Sequence, residues 1–220
     1  MRFRHALAQW RLLDENDSPM AVGEKLGIRV AKVGLEPQDL LSGLMGFLDK
    51  HPSDLLVLAT HGRDGVARWL HGSIAEELSR IAKLPTLFMP PTGRGFVDHT
   101  DGSVQLSRVL VPIDHSPPAS KAVRTISEFI SPMNEQGAAI ELMHVGVDRP
   151  MWSADGAFGS VVLRTGDVVA TILKTAEEQH ADLIAMPTTG HHGFLDALRG
   201  SITERVLRHA PCPVLAVPSG

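Results

Sequence analysis

Short apolar runs alternate with amphipathic stretches along the second half of the chain. Strands are predicted for the runs "RVLVPID" (108–114), "AIELMHV" (139–145), "VVLRTG" (161–166), "DLIAMPT" (182–188) and "CPVLAVP" (212–218). Between them, helical patterns cover residues 118–130, 167–180 and 201–210. Because strands that alternate with helices are typical of parallel sheets with both faces covered, this half predicts an α/β sandwich.

The first ninety residues show a shorter version of the same alternation. The runs "IRVAKVG" (28–34), "DLLVLAT" (54–60) and "TLFMP" (86–90) predict strands, and helices are predicted for residues 37–50 and from Ser73 onward. Nothing before "IRVAKVG" resembles the opening "VLVPIDHS" of the second half. We therefore expect an incomplete unit whose N-terminal half is missing.

An internal repeat relates the two halves. Residues 54–90 align without a gap on residues 182–218, and fifteen of the thirty-seven aligned positions are identical. A repeat of this length is a whole α/β segment and not a short solenoid module. We therefore predict tandem units at 1–92 and 104–220, joined through a Pro-, Gly- and Asp-rich linker at 90–103.

Composition and charge narrow the partners of the chain. A net charge of -4 over 220 residues gives no basic surface for nucleic acid or for a membrane. The single cysteine, Cys212, lies in an apolar run and is expected to be a small buried hydrophobe in a reducing compartment. No stretch approaches the length of a membrane span or of the apolar part of a signal peptide, so we expect a soluble, cytoplasmic protein.

One spacing of small residues occurs in both halves. Gly190 is followed, after nine residues, by Gly200 and Ser201, which open a predicted helix, and Gly62 precedes Gly72 in the same way. Together with "VLVPIDHSPPASKAV" (109–123) and "APCPVLAVP" (210–218), this spacing resembles the universal stress protein family. The resemblance implies a Rossmann-like α/β fold of the adenine nucleotide alpha hydrolase type and a role in the stress response.

The resemblance also implies an adenine nucleotide site in the second unit. In the branch of the family that binds nucleotides, small residues cradle the phosphates, because backbone N–H groups and a helix N-terminus attract anions. Residues at the ends of the first two strands hold the adenosine. The matching positions here are Pro112, Asp114, Val145, Gly190, Gly200 and Ser201. The implied ligand is ATP or AMP, with Mg²⁺ only as its companion.

Two departures from the family pattern leave alternatives open. The first glycine of the Gly-x-x-Gly pair is Pro187 in the second unit and Ala59 in the first, and proline has no N–H to donate. One alternative is therefore a scaffold that works without nucleotide. Another is slow ATP hydrolysis or self-phosphorylation at Ser201, although the sequence offers no dedicated general base. Ser201 also begins a Ser-x-x-Glu capping box, which needs no ligand.

Several histidines are considered as possible metal ligands. The residues considered as metal ligands are His115, His144, His191, His192 and His209. They lack the spacing of zinc motifs, so we predict no metal site and solvated loop histidines instead.

The expected partners are an unidentified protein and a pseudo-dimer within the chain or a homodimer. In that arrangement "TLFMP" lies against "VLAVP" (214–218), and the edge of "DLLVLAT" is covered by "IRVAKVG" or by a second chain.

Overall fold

A computed structural model describes most of the chain. The described residues are 3–18, 20–34, 40–59, 84–90, 94–116, 119–133, 137–151, 160–188 and 202–218. The helices are α1 (Phe3–Gln9), α2 (Ala21–Leu26), α3 (Leu40–Lys50), α4 (Ser120–Ile130), α5 (Val168–Glu178) and α6 (Ile202–His209), with a 3-10 turn at Ser131–Met133. The strands are β1 (Leu56–Ala59), β2 (Thr86–Met89), β3 (Arg108–Pro112), β4 (Ala139–Val145), β5 (Val162–Arg164), β6 (Leu183–Thr188) and β7 (Val214–Pro218).

The strands form one sheet of seven in the order β1-β2-β7-β6-β3-β4-β5. All neighbours are parallel except β2 and β7, which run antiparallel. The second half of the chain contributes five of these strands, with the first, β3, lying between the second, β4, and the fourth, β6. The α/β, Rossmann-like fold class is confirmed. The division into units at 1–92 and 104–220 stays a prediction.

Helices cover both faces of this sheet, as the apolar runs predict. On one face, α5 and α6 bury Ile172 and Val206 against β6 and β7. On the other face, α4 buries Ile126 against strand residues that include Leu183 and Leu215. Successive residues of a strand point to opposite faces. Strands with a core on each side must therefore be continuously apolar, and this produces the runs seen in the sequence.

The antiparallel pair β2 and β7 connects the two halves of the chain. Its register places Thr86 opposite Ala216, Leu87 opposite Leu215 and Phe88 opposite Val214. The prediction that "TLFMP" lies against "VLAVP" is confirmed. Leu87 and Leu215 belong to the same core cluster, so the hydrophobic core continues across the junction.

The strand predicted at 28–34 is wrong. Residues 28–34 have no regular secondary structure, and the side chains of Ile28, Val30 and Val33 are exposed. Among the described strands β1 pairs with β2 alone, so "IRVAKVG" does not cover its edge. The alternating pattern of 28–34 is a local signal, whereas a strand needs a partner that alternation cannot supply. Coverage of β1 by a second chain stays a prediction, and the helix expected from Ser73 lies outside the described residues.

The linker predicted at 90–103 is partly built into the fold. Phe96 is buried in the core on the α4 side of the sheet, and Val97 bridges to Val104. Trp10, just after α1, donates from Nε1 to the carbonyl oxygen of His99 at 3.0 Å. Its ring lies against Gly102, where a Cβ would come within 2.6 Å of the indole and where φ is +76°. Residue 102 therefore has to be a glycine on both steric and conformational grounds. The contact between Trp10 and this glycine holds the N-terminal helix against the linker.

Candidate functional site

A cavity of about 230 Å³ opens at the carboxyl ends of β3, β4 and β6. The chain leaves β3 toward β4 on one side, while β6 lies on the other side of β3. Ligands of open α/β sheets bind in the crevice where strand connections diverge in this way. The sheet therefore provides a binding position independently of any sequence motif.

Three of the residues expected to hold adenosine line this cavity. Pro112 is the last residue of β3, Asp114 follows two residues later, and Val145 ends β4. They come together because parallel neighbours end at the same edge of the sheet. Their role as a nucleotide site stays a prediction.

The residues expected to hold phosphate lie outside the described residues. They are Gly190, Gly200 and Ser201. The described residues nearest to that segment are Thr188, at the end of β6, and Ile202, at the start of α6, and both line the cavity. The described residues that flank the glycine segment on both sides therefore belong to the cavity wall.

Asp114 is the exposed acidic group of this cavity. Its carboxylate accepts a hydrogen bond from the backbone N–H of His115 at 2.7 Å. Asp114 Oδ1 lies 3.7 Å from Nδ1 of His144, and the Asp114 side chain is 62% exposed. A carboxylate has acceptor sites for several donors. Asp114 can therefore accept a hydrogen bond from a ligand without losing its own backbone contact.

His144 is a buried residue of β4, and its assignment as a solvated loop histidine is wrong. The residue is 6% exposed and lines the cavity. Its Nδ1 lies 3.0 Å from the carbonyl oxygen of Ile113. A carbonyl oxygen only accepts, so Nδ1 is the donor in this hydrogen bond. The ring thus links the end of β4 to the segment that carries Asp114.

Gly146 makes room for this histidine ring. A Cβ at residue 146 would lie 2.3 Å from Nε2 of His144 and 3.0 Å from its Cδ2. Real side chains do not approach so closely, and the buried ring has little freedom to move. Glycine at this position therefore leaves the space that the imidazole ring of His144 occupies.

Two buried threonines were missed by sequence reasoning. Thr188 is 5% exposed and Thr203 is 8% exposed, and both line the cavity, on either side of the glycine segment. Their hydroxyl groups can donate and accept hydrogen bonds. Their positions in the sequence could have identified them, because Thr188 ends a predicted strand and Thr203 lies in the first turn of a predicted helix.

Pro187 lies in β6 without costing the sheet an inter-strand backbone hydrogen bond. The N–H of Ile184 donates to Pro213 O beside β7, so by alternation the nitrogen of Pro187 faces β3. The β3–β6 pairs end at Leu110 and Ile184, before this point. The missing N–H therefore falls where the two strands have separated, at the cavity.

Cys212 is buried, as expected, and lies in the core cluster beside α5 and α6. Burial raises the pKa of its thiol to about 12, and the nearby Asp182 carboxylate acts in the same direction. The thiolate is the reactive form, so this cysteine is a packing residue rather than a nucleophile.

No helix among the described residues is long and apolar enough to cross a membrane.

Comparison with known proteins shows similarity to one family. Residues 149–218 match the model of the universal stress protein family. The chain is 26% identical over 139 residues to a universal stress protein of Synechocystis, covering 53% of this chain and 88% of the relative. A shorter match to a universal stress protein of Methanocaldococcus jannaschii is 52% identical over 46 residues, or 21% of this chain and 27% of that one.

A solved structure supports the fold. The crystal structure of a universal stress protein from Archaeoglobus fulgidus aligns with a TM-score of 0.61 at 22% identity, covering 90% of this chain and 74% of that one. The resemblance inferred from the glycine spacing and the flanking strands is confirmed.

Proposed function

Since residues 149–218 carry a universal stress protein domain, we propose that this chain binds one adenine nucleotide in its second half and acts in the stress response through protein contacts. One observation carries the proposal. A single cavity is lined by Pro112, Asp114 and Val145. It lies where the order of the strands in the sheet reverses, beside β3. The family motif and the sheet geometry select this position independently.

We expect each part of the nucleotide to contact a different part of this site. The base and ribose would occupy the apolar wall formed by Val145 and Ile172, with Asp114 accepting a hydrogen bond from the ribose or the base. The phosphates would extend toward the segment from Gly190 to Ser201. Small residues and the N-terminus of α6 suit an anion there. The expected stoichiometry is one nucleotide per chain, because the described residues of the first half contain no counterparts of β3 and β4.

Calorimetric titration with AMP and with ATP tests this proposal. We expect one site, weakened at least tenfold, or about 1.4 kcal/mol, by Asp114→Ala. Gly200→Val is expected to block the approach of the phosphates and therefore to weaken the binding of ATP. Asp49→Ala, on the exposed end of α3, is the matched control and leaves affinity unchanged. Two equal sites, no binding, or parental affinity in both site variants would contradict the proposal.

A scaffold without nucleotide is the second candidate, and Pro187 favours it. This proline replaces a family glycine and removes a donor beside the cavity. Pro187→Gly is expected to strengthen nucleotide binding by about 1–2 kcal/mol, the contribution of one charge-assisted hydrogen bond. Absence of binding in both the parent and this variant would favour the scaffold. Analysis of the products after incubation with ATP separates simple binding from slow hydrolysis or self-phosphorylation.

A further inference from the structure

Three metal-ligating side chains meet at the carboxyl ends of β3 and β4. Asp114 and His115 follow β3, and His144 is the penultimate residue of β4. Each offers one ligand atom, and the three atoms all lie within 4.8 Å of one another. The imidazole rings of His115 and His144 stand edge to face with centroids 5.1 Å apart. From this cluster we propose that the protein binds a zinc-class divalent cation through Asp114, His115 and His144.

The donor set selects the class of cation. Two imidazole nitrogens and one carboxylate oxygen suit Zn²⁺ and neighbouring transition metals, whereas Mg²⁺ and Ca²⁺ prefer oxygen ligands. Three protein ligands leave the fourth position of a tetrahedral ion open to water or to a small ligand. The site therefore differs in kind from the Mg²⁺ that accompanies a nucleotide's phosphates.

The three ligands differ in freedom, which makes closure around an ion feasible. Zinc–nitrogen bonds of about 2.0–2.1 Å place neighbouring ligand atoms of a tetrahedral site about 3.3 Å apart. The separations between the three ligand atoms therefore have to contract by about 1.5 Å at most. Asp114 and His115 are exposed and can rotate, whereas His144 is buried and fixed by its hydrogen bond to Ile113.

His144 makes a hydrogen bond of the kind that metal-ligating histidines make. Ligating histidines usually donate their second ring N–H to a carbonyl or carboxylate, which fixes the tautomer. Nδ1 of His144 lies 3.0 Å from Ile113 O and 3.7 Å from Asp114 Oδ1, whereas Nε2 lies beside Gly146. Ligation through Nε2 would keep the hydrogen bond to Ile113 O. The spacing of these histidines in the sequence gives no sign of this, because the cluster forms only when β3 and β4 pair.

Zinc titration of the chelator-treated protein tests the inference. We expect one Zn²⁺ per chain by calorimetry, and Co²⁺ should give visible absorption bands of a low-coordinate nitrogen and oxygen site. His115→Ala is expected to weaken binding at least tenfold and to abolish the Co²⁺ bands. His209→Ala is the matched control, because His209 is also exposed but lies at the end of α6, outside the cluster.

Other outcomes overturn the inference. Parental zinc affinity in His115→Ala, no zinc binding at submillimolar concentration, or loss of binding in a His191→Ala, His192→Ala double variant would each refute it. His115→Ala is chosen because the residue is exposed and its removal leaves the buried core intact. Asp114 is shared with the proposed nucleotide site, so the zinc titration is carried out without nucleotide. AMP titration of metal-free His115→Ala protein tests the nucleotide proposal separately.

Discussion

The contact between Leu87 in β2 and Leu215 in β7 provides a quantitative test of how the two halves of the chain are joined. These residues are directly opposite in the antiparallel register, and they are 5% and 0% exposed. Replacing a buried leucine by alanine costs about 2–5 kcal/mol, because apolar contacts are lost and a cavity remains. We expect about 2–3 kcal/mol for Leu87→Ala and about 3–4 kcal/mol for the fully buried Leu215→Ala.

The double variant is the informative measurement. Each single replacement removes the contact between the two leucines, so the sum of the two losses counts that contact twice. We therefore expect the free energy of unfolding of the double variant to fall by about 1 kcal/mol less than the sum. Ile172 provides the control, because it is buried on the opposite face of the sheet. Leu87→Ala combined with Ile172→Ala should be additive within about 0.5 kcal/mol.

Urea denaturation, followed by circular dichroism and fluorescence, measures these differences, provided that the two transitions coincide. Additive losses for Leu87→Ala and Leu215→Ala would show that the side chains are not in contact, and the observed register would then be refuted. A negligible effect of Leu87→Ala alone would show that β2 is not packed on β7 in solution.

Three further changes address single residues. Gly146→Ala is expected to lower the free energy of unfolding by about 1–3 kcal/mol, because its Cβ collides with the buried His144 ring; an unchanged thermal midpoint would contradict this. Asp167→Ala should cost about 1 kcal/mol in urea denaturation, because Asp167 caps α5 by accepting from the N–H of Ala170 at 2.9 Å. For Cys212, whose pKa is about 12, stability should fall by about 1.4 kcal/mol per pH unit above about pH 9, because the thiol ionises first in the unfolded state. Cys212→Ala should lack that part of the slope, and the parent thiol should react with alkylating reagents at pH 8 only on unfolding.

The sequence predicts best where a strand is buried on both sides. β3, β6 and β7 coincide closely with continuous apolar runs, because a strand inside the sheet has a core on each face. The segment 28–34 has an alternating pattern with equal β-propensity, yet it forms no strand. A strand at 28–34 would need an adjacent strand to pair with, and a local sequence pattern does not say where such a strand lies.

The residues of the candidate site also differ in whether the sequence could predict them. Pro112, Asp114 and Val145 could be placed at strand ends, since each follows or ends an apolar run and the family motif marks it. His144 could not, because its burial depends on a hydrogen bond to Ile113, thirty-one residues away, and on the space left by Gly146. Spacing along the chain does not reveal contacts that form between neighbouring strands.

The antiparallel junction of β2 and β7 has a consequence for how the protein responds to its own concentration. Two strands on separate molecules would associate according to how often the molecules meet, and dilution would part them. Here both strands belong to one chain, so their encounter is governed by an effective concentration that the connecting residues set. The junction therefore forms equally well in a scarce and in an abundant protein. A cell could vary the amount of this chain widely without changing the fraction in which the two halves are joined.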